Sequence, residues 1–305
     1  MSIKTDTNYV SWLVSGTVIL LALMLVVLLF NERTRATAAT QQASKLQRLD
    51  RVDRIQVALA LAVESEKSAV LAITDSDSQQ FAEQTRIAAA NVERERGELA
   101  VLFATSGNPD EMNLLQQFTE AFGEFQRIDQ DLLALAVSNT NLKATSLVFG
   151  PATAALSEMD TALAHLPSED VKLQQLADTA RIAAWRLLTM LPPHIAEESD
   201  AKMDTMEALM NSEDQKIHLS LDALGARKDL ANNSDLGTAI ACYSRFSALK
   251  TEILKLSREN TNVRSLAISL NEKRKVTLVC QAVLTALQQA IEAEPIVTYG
   301  HIHAR

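Results

Sequence analysis

Turn-forming residues are scarce in this chain: 8 Gly and 6 Pro in 305 residues, too few to supply the reversals of a many-stranded sheet or the phosphate-cradling loops of a βα fold. Cysteine is scarcer still, and two thiols exclude a disulfide framework. There is no basic excess either. Lys and Arg number 29 against 38 Asp and Glu, for a formal charge of -9 and a pI near 5.2, so no nucleic-acid partner is expected, because nothing would displace counterions from phosphate. No G-x-S-x-G, H-E-x-x-H, Walker or kinase motif occurs, and His165, His194 and His218 are scattered without an evident nucleophile. Neither an enzyme nor a cofactor is expected. What remains is an apolar content of 47% with few breaks, which predicts an all-α protein of one or two domains.

No charged residue lies between Asp6 and Glu32, and Trp12 to Phe30 is an almost unbroken apolar run. Read as a helix it covers about 28 Å, close to the hydrocarbon thickness of a bilayer. Residues 1–35 are therefore expected to form a short flank and a transmembrane anchor. Ala36 and Ala38 also give an A-x-A pattern suited to signal cleavage, but the apolar run is longer than a cleaved signal usually carries. Orientation is in conflict. Arg33, Arg35, Lys45, Arg48 and Arg51 follow the run against Lys4 alone before it, and the positive-inside rule by itself would keep the large domain in the cytoplasm.

Beyond the anchor, Val52, Ile55, Leu59, Ala62, Glu66, Ala69 and Ile73 recur at steps of three and four, the seam of a coiled-coil-like helix. Asp77 with Gln80 and Asn108 with Pro109 and Glu111 mark the starts of two further helices. Gly150 and Pro151 are expected to break the third before a short fourth ending near Leu166, Pro192 and Pro193 to stop a fifth, and Ser199 and Asn233 to cap the sixth and seventh. The seventh is expected to run through Leu270, an eighth from about Glu272 to Ala293, and a mobile tail over 295–305.

The most specific feature is a duplication. Phe122, Phe125, Leu133, Leu135, Asn139, Thr140, Asn141, Lys143 and Leu163 recur 121 positions later as Tyr243, Phe246, Leu254, Leu256, Asn260, Thr261, Asn262, Arg264 and Leu284. Two tandem four-helix-bundle-like units are expected, over 36–167 and 168–294.

The first half resembles the four-helix-bundle ligand-binding domain of bacterial methyl-accepting chemoreceptors. The resemblance rests on the membrane helix leading into the bundle, on Glu66-Lys67-Ser68-Ala69-Val70-Leu71 followed by Thr74 and Asp75, and on Asn139-Thr140-Asn141-Leu142-Lys143-Ala144. It implies an extracytoplasmic, periplasmic bundle on a single-pass inner-membrane anchor, a homodimer, and a sensory role with a small-molecule ligand or a partner membrane or periplasmic protein. A second membrane helix and a signalling hairpin are not expected. The other reading is a membrane-tethered structural subunit or a periplasmic metal-handling protein.

Asn139 and Asn260 fall on apolar seams, where a buried amide sets register or touches a ligand, together with Thr140, Asn141, Thr261 and Asn262. If register is the role, leucine at either Asn should hold or raise stability while loosening association; lower stability with an unchanged oligomer would mark a satisfied polar network. Asp129 and its counterpart Lys250 could pair, although a solvated bundle end is the plainer expectation. His194, Glu198 and His218, with Met203, Met206 and Met210 between them, are weak metal candidates, and the methionines also fit a packing stripe. His301 and His303 lack the spacing of a closed site. Cys242 and Cys280 read as small core residues.

Overall fold

The computed structural model describes residues 7–106, 108–167 and 169–295. All regular structure among them is helical: α1 (Thr7–Leu71), α2 (Asp75–Ser106), α3 (Pro109–Ser138), α4 (Thr140–Leu147), α5 (Thr153–Ala164), α6 (Val171–Ala196), α7 (Asp200–Gly225), α8 (Ser234–Glu259), α9 (Thr261–Ile268) and α10 (Arg274–Ala293). Single π turns, Val148–Ala152 and Ser269–Lys273, join α4 to α5 and α9 to α10. The expected tail lies outside the described residues beyond Pro295, as do His301 and His303.

Helix α1 runs for 65 residues, with no Gly or Pro from Thr17 to its end at Leu71 to interrupt it. Its seam is buried from Val52 to Ala69, but Ile73 falls in the following turn and is exposed. Leu21 and every residue from Leu23 to Phe30 are more than half exposed. At the other starts, Thr74 Oγ1 accepts from Asp77 N at 3.1 Å, so α2 begins two residues before the expected Asp77. Asn108 Oδ1 caps α3, and Asn233 caps α8 through Leu236 N at 2.9 Å. Ser199 stands at the N-cap of α7 without a side-chain cap bond.

Proline does not break the helices where the sequence suggests. At Pro151 the chain takes a π turn instead, in which Thr153 N and Oγ1 both reach back to Val148 O, five residues earlier, so the missing N–H is absorbed within a continuous helix. Pro192 and Pro193 lie inside α6, which goes on to Ala196. Pro193 takes the donor from the carbonyl of Thr189, an exposed residue, and Pro192 from that of Leu188, a buried one, so core packing rather than solvent keeps the helix whole there. The true interruptions are Asn139 and Asn260, each a left-handed residue between two helices.

Backbone contacts divide the chain into two units, one of Met1–Leu59, Ala89–Phe122 and Val279–Arg305, the other of Ala60–Ala88 and Gly123–Leu278. These are not consecutive halves, since α1, α2, α3 and α10 each contribute to both. In the first unit, Val52, Ile55, Leu59, Leu99, Phe103, Phe118, Phe122, Leu284, Leu287 and Ile291 are fully buried. Each such side chain withdrawn from water contributes about 1.5–3 kcal/mol, far more than helix propensity does. Arg48 binds Glu111 at 2.6 Å and also Glu294, Arg51 binds Glu95 at 2.5 Å, and Gln56 binds Gln288 at 3.2 Å, so α1 is tied to the other three helices. In the second unit one core extends from Ala144 on α4 to Ile253 on α8, through α5, α6 and α7. A smaller cluster joins Ala69, Val70, Ala82, Leu132, Leu133 and Ala136.

The runs Pro109–Ala164 and Ser234–Ala293 are each long and apolar enough to cross a membrane by length and composition, with mean hydropathy of 1.2 and 1.3 over 18 residues. A second apolar stretch of membrane length was not expected. Both runs also supply core stripes, and 44% and 28% of those stretches are buried within the protein.

Candidate functional site

The two Asn-Thr-Asn triplets, 121 residues apart, meet face to face in the second unit. Thr140 N donates to Thr261 Oγ1 and Thr261 N to Thr140 Oγ1, both at 3.1 Å. Asn141 N donates to Asn262 Oδ1 at 3.2 Å, and Asn262 N to Asn141 Oδ1 at 3.1 Å. Every bond has its mirror, as a local two-fold relation requires. The reason lies in the backbone. Each triplet opens a helix whose first N–H groups have no intrahelical acceptor, and each helix start supplies the caps of the other. The leading Asn takes φ 51° in one copy and 52° in the other, a conformation asparagine tolerates better than other residues with a Cβ.

The side chains of the leading Asn residues complete the knot. Asn139 Nδ2 donates to Asp75 Oδ1 at 2.9 Å and Ser78 Oγ at 2.7 Å, while its Oδ1 accepts from Asn262 at 3.0 Å. Asn260 Oδ1 accepts from Asn141 at 2.7 Å, and its Nδ2 donates to Glu197 O at 2.8 Å. Asn141 also donates to Ile195 O at 2.7 Å. Each triplet thus holds a neighbouring helical turn as well: Asn139 grips the start of α2, and Asn141 with Asn260 grips the link between α6 and α7. Asn139 has no exposed surface and Asn260 only 5%. A buried network satisfied on both sides fixes one arrangement strongly, because each lost bond leaves a desolvated partner behind.

Against this knot sits His194. Its Nδ1 is 2.8 Å from Ser257 Oγ and its Nε2 3.0 Å from Glu207 Oε1, which Arg258 Nε holds at 2.8 Å. Burial pushes the imidazole pKa down, against the pull of Glu207, whose own carboxyl is held low by Arg258 first. The order serine, histidine, carboxylate has the form of a nucleophile relay, but Ser257 and His194 have no exposed surface, so no substrate reaches the hydroxyl. The arrangement anchors the end of α6 to α8. Compared with protein-family models and with curated proteins, the chain gives no match.

The metal candidates do not come together. His194 is taken up as described, Glu198 is exposed, and His218 is an exposed residue bonded to Asp214 O at 2.9 Å. No group of three or more His, Cys, Asp or Glu side chains fit for a metal occurs among the described residues. Met203 and Met210 are buried, and Met210 lies in the second unit's core. Cys242 and Cys280 are buried, and no disulfide joins them.

Asp129 and Lys250 are neither solvated nor paired with each other. Asp129 lies 2.7 Å from Lys273 Nζ, and Lys250 Nζ lies 3.0 Å from Asp214 Oδ1, which also accepts from the Tyr243 hydroxyl. Burial pushes Asp214 up, but Tyr243 and Lys250 together hold it below the usual carboxylate range. The opposite charges at equivalent positions were legible in the sequence. Their partners were not, since Lys273 and Asp214 do not stand at equivalent positions, and the counterpart of Lys273 is Ala152. An open groove of about 580 Å³ over α6 is lined by Asp160, Arg181, Trp185 and Arg186. Its polar groups largely serve one another: Asp160 binds Arg181 at 2.7 Å and Trp185 Nε1 at 3.3 Å.

Proposed function

We propose that this protein is a membrane-anchored, extracytoplasmic sensor-like or adaptor module that binds a small ligand or a protein partner and acts through another subunit. The observation that carries the reading is the continuity of α1. Nine positions of apolar surface, Leu21 and Leu23 to Phe30, lie on an unbroken helix whose later turns are the buried seam Val52 to Ala69. Apolar surface exposed on all sides of a helix is relieved by a bilayer at about 25 cal/mol per Å², which favours a single-span anchor at Trp12–Phe30. The resemblance to chemoreceptor bundles supports the sensory role and the periplasmic side of a bacterial inner membrane, since long domains translocate largely regardless of flanking charge. The recurrence of a left-handed Asn, an eight-residue helix and a π turn at the offset of 121 supports a tandem origin for the two four-helix units.

Any ligand-driven change must be read through differential binding to two states, and the unbroken α1 offers a helix for self-association at the membrane. Cross-linking in native membranes followed by mass analysis is expected to capture a homodimer and a second protein. Monomer alone across several linker lengths would overturn the reading. A reporter fused after Arg305 is expected to be active only outside the cytoplasm; cytoplasmic activity alone would overturn the topology.

A further inference from the structure

Among the described residues one buried carboxyl has no ion-pair partner of its own. Glu66 continues the apolar seam of α1 with no exposed surface, and neither of its carboxyl oxygens meets a hydrogen-bond partner. In a protein interior such a group either finds a counter-charge or gives up its own. The available cation is Lys273, on the π turn before α10, itself 1% exposed. It is already engaged: Nζ lies 2.7 Å from Asp129 Oδ1, donates to Phe125 O at 2.9 Å, and sits 3.0 Å from the centre of the Phe125 ring. Three elements, α1, α3 and the π turn, therefore converge on two buried carboxyls and one ammonium.

We propose that Glu66, Asp129 and Lys273 form a proton-operated clamp in which the folded protein keeps a proton on Glu66. The carboxylate of Asp129 then faces the ammonium of Lys273 alone, and the cluster is neutral. Ionisation of Glu66 releases that proton to water and leaves two anions around one cation in a buried place, which loosens the contact of α1 with the turn. Burial raises the Asp129 carboxyl as well, but Lys273 lies against Asp129 and opposes that rise, so of the two carboxyls Asp129 is the one that holds the negative charge. The other charged groups acting on the cluster are Lys67, on α1 itself, and Arg86, from α2, while Ser269 is the polar neighbour on the turn. Burial is the largest influence on Glu66 and raises its pKa above the ordinary 4.5; Ser269 and Lys273 oppose this without cancelling it.

The sign follows from linkage. The folded state binds more protons at Glu66 than the unfolded state, so this stabilising contribution is whole below the ordinary carboxyl value and is lost as pH rises toward the folded value. In Glu66→Gln the side chain keeps its shape and cannot ionise. The test compares unfolding of the full chain and this variant in detergent micelles between about pH 4 and about pH 8, where one proton changes the ratio of their unfolding constants by about tenfold per pH unit within the window. The variant should gain on the parent as pH rises. A ratio that does not change with pH would overturn the proposal, whatever the absolute stability of the variant. A second readout needs no substitution to fold: infrared titration of the parent protein should show the carbonyl band of a protonated carboxyl persisting above the ordinary carboxyl range. Its disappearance within that range would also overturn the clamp.

Discussion

Leucine in place of Asn139 or Asn260 is expected to destabilise the protein by about 4 kcal/mol, with no change of oligomeric state. Two costs add. Holding a residue with a Cβ other than Asn at a positive φ costs about 1–2 kcal/mol, and both sites have φ near 51–52°. Each buried polar group orphaned then costs about 1–3 kcal/mol. For Asn139 the groups that lose a partner are the half-buried amide of Asn262, at 3.0 Å, and the buried hydroxyl of Ser78, at 2.7 Å, which keeps its bond to Asp75 O. The melting temperature should fall on the order of 10 °C. Glycine at the same site accepts the backbone geometry and removes only the side-chain bonds, so Asn139→Gly should lose less than Asn139→Leu. A leucine variant as stable as the parent would mean that the amides set register in an otherwise apolar seam.

Arg48→Leu is expected to cost about 3–5 kcal/mol, since removing one partner of a buried ion pair strands the other. Glu111 has no exposed surface, Arg48 only 2%, and their contact is 2.6 Å. Burial already raises the Glu111 carboxyl even with Arg48 beside it, so without the guanidinium it should take up a proton, and the deficit should shrink at acid pH. The sign is that of a raised carboxyl: the stranded Glu111 destabilises as pH rises above its unfolded value. Replacing both residues, Arg48→Leu with Glu111→Leu, should recover most of the loss. Urea unfolding of the single and double variants at two pH values checks both statements. Equal losses in the two variants would show that the pair is held for its packing alone.

Much of the local structure was legible because helix-forming and helix-starting signals act over a few residues. The seam Val52 to Ala69, the cap at Asn108 and the end of α7 at Gly225 each depend on side chains within one turn of one another. The errors fell where a local signal competed with packing. Gly150-Pro151 and Pro192-Pro193 read as stops, yet a π turn absorbs the donor missing at Pro151, and the surrounding core keeps each helix whole. Conversely, Asn139 and Asn260 read as seam positions within continuous helices. Their left-handed turn is favourable only because a second triplet supplies the acceptors, and that triplet is 121 residues away.

The sequence alone determined that this chain is helical, that its repeat carries a paired Asn-Thr-Asn, and that Glu66 and Asp129 stand on apolar seams. These are properties of composition and of periods of three and four residues, and they survive in any packing. Which groups those residues meet was decided only by the tertiary structure. Lys273 reaches Asp129 across 144 positions, and Glu111 reaches Arg48 across 63. The long helices are also shared between two contact units rather than divided in sequence order. The physical reason is that a helix fixes the direction of each side chain relative to its own axis, whereas the partner depends on how axes pack. That is set by the fit of whole buried faces, to which no short stretch of sequence refers.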